Sequence, residues 1–113
     1  MTQKRTINGT RYNIPEIVDE AMAIVAGMTL DPEQNRETLR LMGYTNLSDE
    51  FLARYARDKA ILAALGRRTG ANFAGQMGKI NFDSRESAIR DAESYLNRRI
   101  AGQHARWTER RRG

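Results

Sequence analysis

Apolar residues return every three or four positions over four stretches of the chain, and helix punctuation brackets each stretch. Ile14, Ile17, Val18, Ala21, Ile24, Val25 and Met28 make the first stripe, the spacing that lines one face of an α-helix. The start is expected near Asn13, and Pro15 fits the first turn, where its missing N–H costs no helical hydrogen bond. Gly27 is the expected stop. Asp31-Pro32-Glu33 opens a second, short helix, with Asp31 as N-cap, Leu39 and Met42 inward, and Gly43 at its end. Ser48 caps a third, where Leu47 and Leu52 have the spacing of a hydrophobic staple. Its expected buried face is Phe51, Leu52, Tyr55, Ala56, Leu62 and Leu65, its outer face Arg54, Arg57 and Lys59, and its stop Gly66. The fourth begins at Asp83 or Ser84, with Asp83 and Glu86 approximating a capping box. It carries Ala88, Ala92, Tyr95, Leu96 and Ile100 inward and is expected to end or bend at Gly102.

Two segments follow a shorter period. Ile80 and Phe82 alternate with Lys79 and Asn81, which predicts a strand, and Ala71-Asn72-Phe73-Ala74 is its antiparallel mate. Gly70, Gly75 and Gly78 place turns around this pair. Near the start, Ile7-Asn8-Gly9-Thr10 puts Asn-Gly where a type I′ turn needs positive φ, predicting a small N-terminal hairpin. The expected fold is therefore α+β and predominantly helical: about four helices, a short β-hairpin near 71–82 and the small N-terminal hairpin. At 113 residues the chain supplies one core and not two. Residues 1–102 are expected to form a single helical domain with the hairpin, and residues 103–113 a basic, flexible tail.

Charge is unevenly spread. The net +5 divides into +3 over residues 1–11, −6 over 12–53, +4 over 54–84 and +4 over 85–113. An acidic first half with basic ends can draw copies of the chain together head to tail, or bridge partners of opposite sign. Glu16, Asp19, Glu20, Asp49 and Glu50 are the acidic candidates for contact between subunits. Each also lies near a helix N-terminus, where the dipole favours acids.

Catalytic readings have little to work with. There is no cysteine and one histidine, His104, so disulfides, Cys-based zinc sites, two-histidine metal sites and Cys–His pairs are excluded by composition. Adjacent acids such as Asp19-Glu20 and Asp49-Glu50 point about 100° apart on a helix and do not pair their carboxylates. The glycines of 70–78 lack the spacing of a phosphate-binding loop. The chain is expected to be no enzyme and to need no cofactor or metal. Its longest apolar run, Ala21 to Ala26, falls far short of the roughly 20 residues that cross a bilayer. No membrane contact is expected, and the expected setting is the cytoplasm.

The basic residues are the candidates for binding. Arg67 and Arg68, Lys79, Arg98 and Arg99, Arg106, and Arg110, Arg111 and Arg112 can all reach phosphate or carboxylate oxygens, the arginines through forked N–H donors. Trp107, beside the last cluster, can stack on a base or anchor in a neighbour's groove. The order helix, turn, helix over 31–65 is superficially that of a helix-turn-helix. Asp49 and Glu50, however, open the second helix where phosphate should approach, which favours non-specific backbone contact over sequence reading.

The run Ala60-Ile61-Leu62-Ala63-Ala64-Leu65-Gly66, the glycine-broken segment, Gly78-Lys79-Ile80-Asn81-Phe82-Asp83-Ser84, the helix to Ile100 and the terminal Arg110-Arg111-Arg112-Gly113 together resemble the small head–tail joining proteins of tailed phages, the lambda W type. The resemblance covers roughly residues 48–113, and this chain has some 45 further residues before it. The opening Ile7 to Glu16 is similar to the openings of phage tail assembly proteins. The resemblance implies a homo-oligomeric ring in the virion that meets portal-type and tail proteins, assembled in the host cytoplasm, with non-specific DNA contact. A small basic DNA-binding or regulatory protein and a phage tail assembly chaperone are the alternatives.

Overall fold

Asn13 ends one element and starts the next. The computed structural model describes residues 4–7 and 10–112, with side chains from 13 to 99. Within it β1 (Lys4–Ile7) and β2 (Thr10–Asn13) pair antiparallel, with Lys4 opposite Asn13 and Ile7 opposite Thr10. The Asn8-Gly9 pair between them lies outside the described residues. Asn13 is extended, and its side chain accepts the Glu16 N–H at 3.2 Å, so α1 (Ile14–Ala26) starts where β2 stops. Gly27 closes α1 with its N–H on the Ala23 and Ile24 carbonyls.

Only part of the first apolar stripe is buried. Ile14, Ile17, Val18, Ala21 and Val25 enter the core, whereas Ile24 and Met28 are each 48% exposed. Asp31 caps the next segment as expected, accepting the Glu33 N–H at 3.0 Å, but the chain first forms a 3-10 turn over Pro32–Asn35 before α2 (Arg36–Leu41). Leu39 is buried, and Met42, expected inward, is 61% exposed because α2 spans only six residues and Met42 lies beyond its end.

Ser48 starts α3 (Asp49–Thr69), its hydroxyl oxygen accepting the Phe51 N–H at 3.1 Å. The stop is Gly70, in place of the expected Gly66. Gly70 takes a left-handed φ of 75° and donates to the Gly66 carbonyl at 2.8 Å, a conformation that L side chains resist. Thr69 helps, donating to the Leu65 carbonyl at 2.8 Å and accepting the Ala71 N–H at 3.2 Å. The returning chain crosses Gly66, where a Cβ would meet the Ala71 carbonyl at 3.4 Å. Gly66 therefore serves close approach.

The hairpin expected near 71–82 is not formed. Phe73–Gln76 is a 3-10 turn, and residues 77–84 are turns and bends. The backbone groups that a ladder would use find other partners: Tyr95 donates to the Asn72 carbonyl at 3.0 Å, and the Asp91 carboxylate accepts the Asn81 N–H at 3.0 Å. The alternation of Ile80 and Phe82 marked burial correctly, since both enter the core without a paired strand. Phe73 plugs the same region, 1% exposed and edge-on to Tyr95 with ring centroids 4.9 Å apart.

α4 (Arg85–Arg112) is capped by serines instead of the Asp83–Glu86 box: Ser84 Oγ accepts the Ser87 N–H at 3.1 Å, and Ser87 Oγ donates to the Asn81 carbonyl at 2.8 Å. It runs through Gly102 to Arg112, where an end or bend was expected. One glycine costs a helix only about 1 kcal/mol, and good helix formers flank this one. The result is predominantly helical, with four α-helices among the described residues. α1 packs on both α3 and α4, and the core gathers α1, the second half of α3, residues 71–82 and Ala88, Ala92 and Leu96 of α4.

Replacing Phe73 by Ala is expected to lower the unfolding free energy by about 3–5 kcal/mol, as large-to-small core changes do. Leu41→Ala, at a position 79% exposed, is expected to stay within about 0.5 kcal/mol. Urea denaturation followed by circular dichroism measures both.

Candidate functional site

The acidic first half and basic ends were expected to offer unlike charges to neighbouring copies. Two of the acidic candidates, both on α1, are instead joined to bases of α3 and α4. Arg85 forks onto Asp19, with Nε to Oδ1 at 2.6 Å and Nη2 to Oδ2 at 3.0 Å, and Arg68 Nε lies 3.4 Å from Glu20 Oε2. The cause is the packing of α1 between α3 and α4, which turns its polar edge toward both. These pairs remain half-exposed and are screened by salt, so they set register more than stability. The other acidic candidates lie at the surface. Glu16 is exposed in the first turn of α1, Asp49 is 96% exposed with Arg36 at 3.7 Å, and Glu50 is exposed beside it.

A second network joins α3 to the turn before α4. Arg57 Nη2 is 2.9 Å from both Asp58 and Asp83, and Arg54 Nε is 3.9 Å from Asp83. Burial pushes the Asp58 carboxyl above its ordinary value, against the pull of Arg57. The hydrogen bond from Arg57, with the charge of Arg54, holds Asp83 below its ordinary value. Lys79 is exposed along this side.

Among the basic candidates, Arg67 and Arg68 border a groove of about 210 Å³ between α1 and α3, floored by Ile17, Ala21, Ile24 and Ala64, with Glu20 on its rim. Arg98 is exposed and donates to Ser94 Oγ at 3.3 Å. Arg99 is partly buried, with its Nε enclosed. The backbone of Arg106, Trp107, Arg110, Arg111 and Arg112 belongs to α4, and their side chains lie outside those described. The structure thus brings Arg67 and Arg68 together with Glu20, and leaves Lys79 and Arg98 in separate places.

Sequence reasoning missed an apolar corner. Leu41 (79% exposed), Met42 (61%) and Tyr44 (45%) stand at the surface where α2 turns into α3. Tyr44 stacks at 5.8 Å on Phe51, which lies 6.3 Å from Tyr55. With Met77 and Gly78 these rings line a second groove of about 210 Å³. The one available signal was Gly43 directly after Met42, which ends the helical period. No described helix is long and apolar enough to cross a membrane. No group of three or more metal-ligating side chains gathers among the described residues. No family model, no curated protein and no solved structure matches the chain.

The Asp58 and Asp83 shifts act oppositely on stability. A lowered carboxyl such as Asp83 supports the fold above its ordinary value of 3.8, and that support is lost as pH falls through the lower folded value. A raised carboxyl such as Asp58 keeps its proton longer in the folded chain, so stability is lost as pH rises from 3.8 through the raised value. Carboxyl-carbon NMR titration is expected to place Asp58 above 3.8 and Asp83 below it. Asp83→Asn is expected to lose less stability than the parent as pH falls below 3.8. Matching midpoints for the two carboxyls would rule the network out.

Proposed function

We propose that this chain is a non-enzymatic assembly protein of a tailed-phage virion, a head–tail connector subunit that forms a ring docking between portal and tail. In this reading it assembles in the host cytoplasm, and its basic residues lie near the DNA channel. The observation that carries the proposal is the reach of α4. Among the described side chains Leu96 is the last of α4 to enter the core; Ile100, expected inward, lies outside them, and the helical backbone continues to Arg112, roughly 24 Å past Leu96 at 1.5 Å per residue. The radius of gyration, 16.2 Å, accordingly exceeds the roughly 13 Å of a compact chain of this length. Helices draw most of their stability from tertiary packing, so a helix that runs this far past Leu96 is suited to pack on another molecule. Arg98, Arg99, Arg106 and Arg110 to Arg112 belong to this arm, and arginines presented to DNA contact phosphates without reading bases. The sequence resemblance over 48–113 points the same way.

Native mass spectrometry with a portal-type ring is expected to show several copies bound per ring. Deleting residues 106–113 is expected to leave the unfolding midpoint near the parent value and to abolish ring binding. Full binding by the truncated chain would refute the role of the arm. A parent chain that ignores the ring but binds duplex DNA, with affinity falling steeply as salt rises, would favour the regulatory alternative.

A further inference from the structure

The two ends of α3 carry surfaces that complement each other and cannot meet within one molecule. At its C-terminal end, Ile17, Ala21, Ile24 and Ala64 floor an open groove beside Arg67, and Ile24 is 48% exposed there. At its N-terminal end stands the apolar corner of Leu41 and Met42, with the acids Asp49 and Glu50 in the first turn of the helix. Two contacts fix this corner to the start of α3. Tyr44 stacks on Phe51, and Arg36 holds Glu33 while donating to the Leu47 carbonyl at 3.3 Å. Glu50 and Arg67 are 17 positions apart on one uninterrupted helix, so roughly 25 Å separates the acid at one end from the arginine at the other. No bend in α3 brings them together.

We infer that a second copy of this chain fills the groove: Leu41 and Met42 of one molecule seat on Ile24, Ala21 and Ala64 of the next, with Glu50 facing Arg67. The occupant is chosen by what each surface lacks. The groove offers apolar floor and Arg67, its one rim acid Glu20 being drawn onto Arg68; the corner offers exposed apolar side chains and acids, and both features occur on every molecule. Burial of Leu41, Met42 and Ile24 supplies the attraction, and the unlike charges set the direction. Because knob and groove are different patches, the contact is heterologous and repeats from copy to copy, closing into a ring or running on as a filament. This inference deepens the connector reading and rests on it for the expectation of a closed ring.

Light scattering behind size-exclusion chromatography tests it, using the full chain at increasing concentration. The parent is expected to form species larger than two chains. Leu41→Asp with Met42→Asp removes the knob, Ile24→Glu with Arg67→Glu removes the groove, and each variant is expected to be monomeric. Mixed one to one, each still offers what the other has lost, so a two-chain species and nothing larger is expected. A mixture that stays monomeric, or variants that assemble like the parent, overturns the inference.

Ile24 is half-buried, and the charged pair gives the same reading without disturbing it. Arg67→Glu and Glu50→Arg are each expected to weaken assembly at least tenfold alone, and their mixture to restore it. Failure to restore it counts against the proposed facing of Glu50 and Arg67. The connector reading fails separately. Variants that still build parent-like assemblies on a portal-type ring would remove this interface and leave that reading standing. A parent that neither self-associates nor binds such a ring would remove both.

Discussion

The structure depends on α1 being buried from two sides. It is 13 residues long, near the length at which an isolated helix is marginal in water. Its stability must therefore come from Ile14, Ile17, Val18, Ala21 and Val25, whose burial is worth roughly 1.5–3 kcal/mol for each large side chain. Both long helices use this face: α3 and α4 meet each other far less than each meets α1. Residues 71–82 seal the remaining gap with Phe73, Ile80 and Phe82. The loop can do so without strand pairing because side chains from α4 satisfy its backbone.

The same packing decides what the surface charge can do. The acid-rich first half and base-rich second half look in sequence like a dipole to be cancelled between molecules. With α1 wedged between α3 and α4, part of the cancellation happens inside one molecule, through Asp19 with Arg85 and Glu20 with Arg68. What remains for a neighbour is apolar surface flanked by a few charges. Exposed Leu and Met at the end of a short helix contribute nothing to the fold, and contiguous exposed apolar surface commonly marks an interaction site.

Helix starts were legible because capping is local. Asn13, Asp31 and Ser48 each accept the backbone N–H that their position predicts. Helix ends were less so. Gly66 and Gly70 are equivalent as residue types, and only the path of the following chain, which crosses Gly66 closely, shows that Gly70 takes the left-handed turn. The segment 71–82 misled for a related reason: alternation of Ile80 and Phe82 reports which side chains are buried, and a strand also needs a partner, which no local pattern supplies. Arg85 and Asp19 lie 66 positions apart, so their pairing follows from tertiary packing alone. The contact candidates fared by the same rule. Charge clusters could be placed on elements, but which acids stay available to a partner depends on which helices touch.

α3 is the element in which the fold meets the proposed self-contact. Its second half, with Ile61, Leu62, Ala64 and Leu65, is core, and its first half holds Leu52 and Ala56 over the 3-10 turn through Lys59 and the buried Asn35, bonded at 3.1 Å. A straight helix of 21 residues is a rigid spacer of roughly 31 Å. It fixes both the distance and the angle between whatever binds at Asp49 and whatever binds at Arg67. In a closed ring every contact must repeat at one angle, and small errors accumulate around the circle. In the proposed self-contact, the knob is tied to the start of α3 through Tyr44 and Arg36, and the groove shares Ala64 and Arg67 with its far end, so α3 sets the angle between them. In the proposed assembly the hydrogen bond that ties Lys59 to Asn35 has a use beyond stability, since it links the segment before the knob to the middle of α3.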